Sequence, residues 1–326
     1  MPPQVKSSLR SAFRLVLLAA CAGGVVYVFH RNRDDLKLLL HVGPWIAVAL
    51  AGLFIAQYLL QGLRYQFVLT KVADARIAFA EWFRLFVLSQ WLNIFFPQLG
   101  NVYRGVQLKK FHGVSYTGYV SSYVAFAWLD TGINLLVTLA VLAAAPTPLR
   151  VAGLPAWGFV TALLAGTLLV PPVLWAFLSL PVARNRHLAW LHAKSRQVVG
   201  GLRQSVTGAG YLAATVALGA AVFAITTLTF GVCFLGLGVP VSLPALALFC
   251  ALYKLSTYVI ITPGNLGLLE LACAVLGEQV HVGMGPGLLA CGMVRVAGYA
   301  VLAVLAVAMG GLRLLRRRCD IRPEES

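Results

Sequence analysis

The residues with chemistry to offer are few, and they interrupt stretches that are otherwise apolar. The first group runs from Asn93 through Pro97 and Gly100 to Arg104. Proline has no N–H with which to bond back to residue 93, so a helix through this segment must break and leave a main-chain carbonyl free at Asn93. Gly100 permits a close backbone approach. Arg104 follows about one helical turn later. A helix start offers free N–H groups to negative charge, and an arginine fork would complete an anion-binding end. Two roles stay open for Arg104: contact with a lipid headgroup, or snorkelling to the membrane interface.

A second group combines Lys254, the run Pro263-Gly264-Asn265-Leu266-Gly267, Glu270 and Arg295. Glu270 sits among Leu268, Leu269, Leu271 and Ala272. A carboxylate in such surroundings needs a partner, a proton or a path to water. Arg295 and Lys254 are the candidate partners, and a carboxylate that gains and loses a proton would be the natural coupling group for proton-linked transport. The alternative is that Glu270 only holds its helix against Arg295. Asp130 lies near the middle of an apolar stretch, where pairing with Arg64 or with Arg104 is open. Arg64 falls near the end of its own stretch, where snorkelling is cheap and a structural role suffices. Glu81 and Arg84 have the i, i+3 spacing of a surface ion pair on a helix, again a structural role.

The elements that must position these groups follow from composition. The chain has 326 residues, 60% hydrophobic and only 11% charged. Soluble domains carry roughly 25% charged residues, so this chain belongs in a membrane. A bilayer core about 30 Å thick requires roughly 20 apolar residues as helix. Candidate spans are 15–29, 45–69, 119–144, 157–180, 211–235, 243–261 and 288–309, with a further apolar block at 77–96.

Basic residues fall in blocks between these stretches: Lys6, Arg10 and Arg14, then Arg104, Lys109 and Lys110, then a loop from Arg184 to Arg203, and finally Arg313 to Arg318. Such blocks hold loops on the cytoplasmic side. With both termini inside, a full crossing by 77–96 would strand the Arg104 block outside. A hairpin that enters from the cytoplasm and turns near Pro97 and Gly100 removes the conflict. A second hairpin, entered from outside and turning near Pro263 and Gly264, balances the rest. The expected fold is therefore an all-α polytopic membrane protein with six full transmembrane helices and two oppositely entering re-entrant hairpins, an arrangement like an inverted repeat. The competing reading is eight crossings. Broken helices in corresponding places of two halves point to a transport site. The expected organisation is one membrane domain over 1–326. Its first half, 1–144, holds a hairpin near 77–112. Its second half, 157–312, holds one near 243–280, and 313–326 forms a basic cytoplasmic tail.

Several function classes receive no support. The net charge of +16 lies in loop blocks rather than on a nucleic-acid-binding face. No GxSxG elbow, Walker loop or HExxH pair is present, and no stretch between spans is long enough for a soluble catalytic domain, so the reading is a non-enzyme without cofactor or metal. The six cysteines lack CxxC spacing, and packing is their expected role.

Residues 88–105 with Asn93, Pro97, Gly100 and Arg104 resemble the signature of the flippase-like family that includes the membrane region of lysylphosphatidylglycerol synthases. Arg64, Asp130, Tyr253-Lys254, the run Thr262–Gly267 with Glu270, and Arg295 match further family positions in order. The resemblance covers about Arg10 to Arg316. It implies translocation of a lipid: an anionic or zwitterionic phospholipid, an aminoacyl-phospholipid or an isoprenoid-linked glycolipid. A bacterial inner membrane is the implied location, with membrane lipids and a separate lipid-modifying enzyme or glycosyltransferase as partners. The chain is expected to be the membrane region alone rather than a synthase. The alternatives are a small-solute secondary transporter and a scaffold for a lipid-modifying enzyme. Two departures stand out. Many relatives carry a Glu-Arg pair where this chain has Phe126 and Ala127, and a glycine where it has Asn265.

Overall fold

The computed structural model describes residues 23–24, 26–28, 30–31, 33–96, 98–144, 150–151, 154–179, 186–258, 265 and 267–310. The candidate span 15–29, Pro97, Pro263, Gly264 and the basic tail lie wholly or mostly outside these residues, as do Cys21 and Cys319.

After a short 3-10 helix at Arg33–His41, the helices are α1 (Pro44–Ala73), α2 (Phe79–Phe95), α3 (Leu99–His112), α4 (Tyr116–Ala144), α5 (Ala156–Ser179), α6 (Arg186–Gln204), α7 (Ala209–Gly236), α8 (Leu243–Ser256), α9 (Leu268–Gln279) and α10 (Met284–Ala308). A two-residue antiparallel pair, Arg150–Val151 with Leu154–Pro155, precedes α5. Among the described residues, five helices are long and apolar enough to cross a membrane: α1, α4, α5, α7 and α10. Each falls on a span expected from hydropathy. The protein is an all-helical, multi-pass membrane protein.

The shorter helices pack in two pairs, α2 with α3 and α8 with α9. At 17 and 14 residues, α2 and α3 reach only about 25 and 21 Å. With 14 and 12 residues, α8 and α9 reach about 21 and 18 Å. Each arm falls short of the roughly 30 Å needed to span hydrocarbon alone.

One expectation is corrected. The basic stretch 184–203 is not a loop where it is described: most of it is α6, whose sequence has basic residues and no acid. Hydropathy over a span-length window hides it, because its apolar residues recur with helical period instead of running on.

Contacts divide the chain into two compact units. One comprises Met1–Phe54, Asn134–Leu164 and Phe223–Ala297, and therefore holds the whole α8–α9 pair. It also takes the N-terminal parts of α1, α5 and α10 and the C-terminal parts of α4 and α7. The other comprises Ile55–Ile133, Ala165–Val222 and Gly298–Ser326, and holds the whole α2–α3 pair together with α6. One apolar core in it joins Tyr65, Leu69, Trp82, Phe86, Leu108 and Leu302, among others, around that helical pair.

Candidate functional site

The α2–α3 turn shows how sequence builds the first group. Phe96 N–H still bonds to Leu92 O at 3.1 Å, and Gln98 then takes a left-handed conformation with φ 68°. The chain reverses, and α3 runs back along α2. Gly100 arrives so close to α2 that a Cβ would collide with the Ser89 carbonyl oxygen and lie 2.8 Å from Asn93 Oδ1. Only glycine fits there without displacing backbone.

This turn modifies the expected anion-binding helix start. Gly100 N–H donates to Asn93 Oδ1 at 2.8 Å, and Leu99 N–H donates to Phe96 O at 3.2 Å. Two donors of the first turn of α3 are thus already used. Asn93 is placed as a cap for α3, satisfying a group that a helix start otherwise leaves open.

Arg104 lies one turn further along α3, where it is 2% exposed. Snorkelling to the interface is therefore ruled out for it. Its Nε donates to Ser89 Oγ at 2.9 Å, and Nη2 donates to the same hydroxyl. Its Cζ stands 4.9 Å from the Tyr65 ring centroid, 5.6 Å from Trp82 and 5.3 Å from Phe86. Trp82, Phe86 and Ser89 share one face of α2 through i, i+4, i+7 spacing. The Trp82 indole N–H is spent on Gly62 O at 2.7 Å, which fixes its ring beside the guanidinium. Arg104 makes no salt bridge among the described residues. The Tyr65 and Tyr119 hydroxyls are also buried in this core, facing each other.

From Tyr65 the arrangement continues as a stack. The Phe126 ring lies 4.6 Å from that of Tyr65, nearly parallel at 17°, and Arg64 Cζ lies 5.2 Å from Phe126. Arg64 Nη1 bonds to Asp130 Oδ1 at 2.5 Å. Asp130 therefore pairs with Arg64, not Arg104. Arg64 is 1% exposed, and its Nε and Nη2 are buried without a partner among the described residues. The expected snorkelling of Arg64 does not occur, because its position on α1 faces α4 and the buried interior of this unit. Phe126 serves as the ring between Tyr65 and Arg64.

Glu81 and Arg84 form no salt bridge among the described residues. Arg84 Nε reaches Met309 O at 3.1 Å instead, capping the C-terminal end of α10, where a cation is favoured by the exposed carbonyls.

The second group belongs to the other unit. Glu270 stands in the first turn of α9 and uses both carboxylate oxygens: Oε2 accepts the Gly267 N–H at 2.8 Å, and Oε1 faces Arg295 Nε at 3.1 Å. Arg295, on α10, also donates from Nη2 to Asn265 O at 2.9 Å, while Nη1 is buried without a partner among the described residues. Of the two candidate partners, Arg295 makes the salt bridge. Lys254 lies in the last turn of α8. Asn265, with φ 53°, donates from Nδ2 to Thr257 O at 3.3 Å and so ties the turn back to the end of α8. Its side-chain amide supplies a bond that a glycine at this position would lack.

A family model described as the lysylphosphatidylglycerol synthase TM region matches residues 8–306. The chain belongs to this family. No curated protein and no solved structure matches it. The matched region takes in both helical pairs, the aromatic stack and the Glu270–Arg295 clasp. Of the residues around Arg104, Ser89, Tyr65, Trp82 and Phe86 escape a reading by charge and breaker alone. The signal that would find three of them is the helical stripe 82, 86, 89, which must face whatever α3 brings against α2.

Proposed function

We propose that this family member moves a lipid with an anionic or zwitterionic headgroup between membrane leaflets. Phospholipids, aminoacyl-phospholipids and isoprenoid-linked glycolipids all satisfy that description. The observation that carries the proposal is Arg104. A buried ion without a counter-charge costs several kcal/mol. Three aromatic rings offset this by about 0.5–2 kcal/mol each. What remains favours an anion, and a lipid phosphate is the anion the membrane supplies. Two buried tyrosine hydroxyls in the same core, Tyr65 and Tyr119, give that phosphate further donors.

In this reading Arg104 receives the headgroup, Asn93 and Gly100 shape the turn, and Arg64 with Asp130 holds the stack behind it. In the other unit Gly267 shapes the start of α9, where Arg295 is a separate cation held by Glu270. Glu270 is the coupling group. Lys254, at the neighbouring end of α8, is part of the same charge network.

The α2–α3 pair would be a re-entrant hairpin entered from the cytoplasm, and α8–α9 one entered from outside. Support comes from the basic residues of the unit holding α2–α3, which include Lys71, Arg76, Lys109, Lys110, Lys194, Arg196 and Arg203. Such a concentration marks a cytoplasmic face. The proposal places the protein in the inner membrane with both termini inside, working as a carrier beside a separate lipid-modifying enzyme.

The experiment is leaflet exchange of a headgroup-labelled phosphatidylglycerol in proteoliposomes. Replacing Arg104 by Ala should slow exchange at least about tenfold, since losing the partner of a buried charge costs 2–5 kcal/mol or more. Undiminished exchange by a folded Arg104→Ala protein would show that Arg104 does not receive the headgroup.

A further inference from the structure

We propose that the groove between α5 and α6 is a binding site for one anionic phospholipid of the surrounding leaflet, separate from the Arg104 centre and independent of whether the protein transports anything. Two prolines inside α5, Pro171 and Pro172, create it. Each lacks the N–H that would bond one turn back, at Thr167 and Leu168. The freed Thr167 carbonyl accepts the Trp128 indole N–H at 2.7 Å. With its N–H engaged, Trp128 presents only ring to the groove.

The opposite wall is α6. It is seated on its neighbours by buried Val199 and by buried Leu202, which packs with Val68, Ala125 and Leu129. Ser121 Oγ also donates to Gln197 O at 3.3 Å. Between the walls lies a cavity of about 410 Å³, lined by Trp128, Trp175, both prolines and Leu202, with Arg203 as its charged residue. Arg203 and Arg196 are exposed at this end of the fold, and Arg196 Cζ lies 5.7 Å from the Trp175 ring centroid.

Shape and charge select the occupant. An apolar slot accepts an acyl chain, and two arginines at its rim accept a phosphate. The helix that carries them is amphipathic and has no acidic residue, the composition of a segment lying in the interface of an anionic leaflet. A water-soluble ligand would leave the slot unfilled. A neutral lipid would leave the arginines unanswered.

The test uses the full chain in phosphatidylcholine nanodiscs doped with phosphatidylglycerol carrying a photoactivatable acyl chain. Cross-links should concentrate in 168–175 and 199–206. They should fall about fivefold for each arginine removed in Arg203→Ala and Arg196→Ala, the contribution of one near-surface cation. Leu168→Trp, at a half-exposed wall position, should block the slot while the arginines remain. Equal labelling by a phosphatidylcholine probe would overturn the proposal. So would labelling of this groove no denser than that of the lipid-facing side of α4. Cross-links from the groove to a second copy of the chain would overturn it too, assigning the groove to an oligomer contact instead.

Discussion

Arg104 and Arg64 are both buried arginines, yet their partners differ. Arg64 has a carboxylate, Asp130, whereas Arg104 has rings and one hydroxyl. Breaking a buried ion pair by removing one partner costs about 3–5 kcal/mol, and removing both restores most of that. The Asp130 side chain is 31% exposed, which places this pair near the lower end. Asp130→Asn should therefore destabilise the folded protein by about 3 kcal/mol, and Arg64→Met combined with Asp130→Leu by clearly less. Thermal unfolding of the two variants in one detergent checks this. Equal losses would show that the stack does not depend on the pair. At Arg104, lysine is no substitute, because a compact ammonium cannot lie flat against three rings while reaching Ser89. Arg104→Lys should restore less than half of the exchange rate lost in Arg104→Ala.

The breakers in the sequence located both helical pairs, and their bounds agree with the observed ones to within a few residues where these are described. Pro97 and Gly100 mark a turn because neither a missing N–H nor a missing Cβ can be compensated elsewhere. What lies inside the pair was less legible. Asn93 reads as a binding residue until the turn is closed, when its amide oxygen proves to be occupied by Gly100 N–H. Arg64 reads as an interfacial residue until α4 is placed beside α1. Partners across elements are set by packing, which spacing along one element does not encode. At this scale Asn93→Ala should lower stability by about 1 kcal/mol, the usual loss of a helix cap. Gly100→Ala should cost more, about 1–3 kcal/mol, because backbone must move to admit the methyl group. Denaturant unfolding in micelles orders the two. A milder effect at Gly100 would contradict the close approach of α2 and α3.

For the whole molecule, charge is the guide to orientation. Lys109 and Lys194 belong to the unit rich in basic residues, while the turn at 236–242 belongs to the other. An impermeant thiol reagent applied to intact cells should label Ser242→Cys and leave Lys109→Cys unlabelled. Labelling of Lys109→Cys from outside would instead support eight crossings. The amphipathic α6, which hydropathy passes over, carries much of that charge. A helix that lies in an interface never shows the long apolar run by which spans are found.

A lipid carrier built around a buried arginine that has no salt bridge among the described residues is tested most directly by reconstituting the wild-type chain alone. Leaflet exchange of labelled phosphatidylglycerol and release of a trapped soluble anion would then be followed in the same vesicles. Lipid exchange should run well above that of protein-free liposomes, with the soluble anion retained. Exchange at the protein-free rate, or release of the anion without exchange, would contradict the carrier.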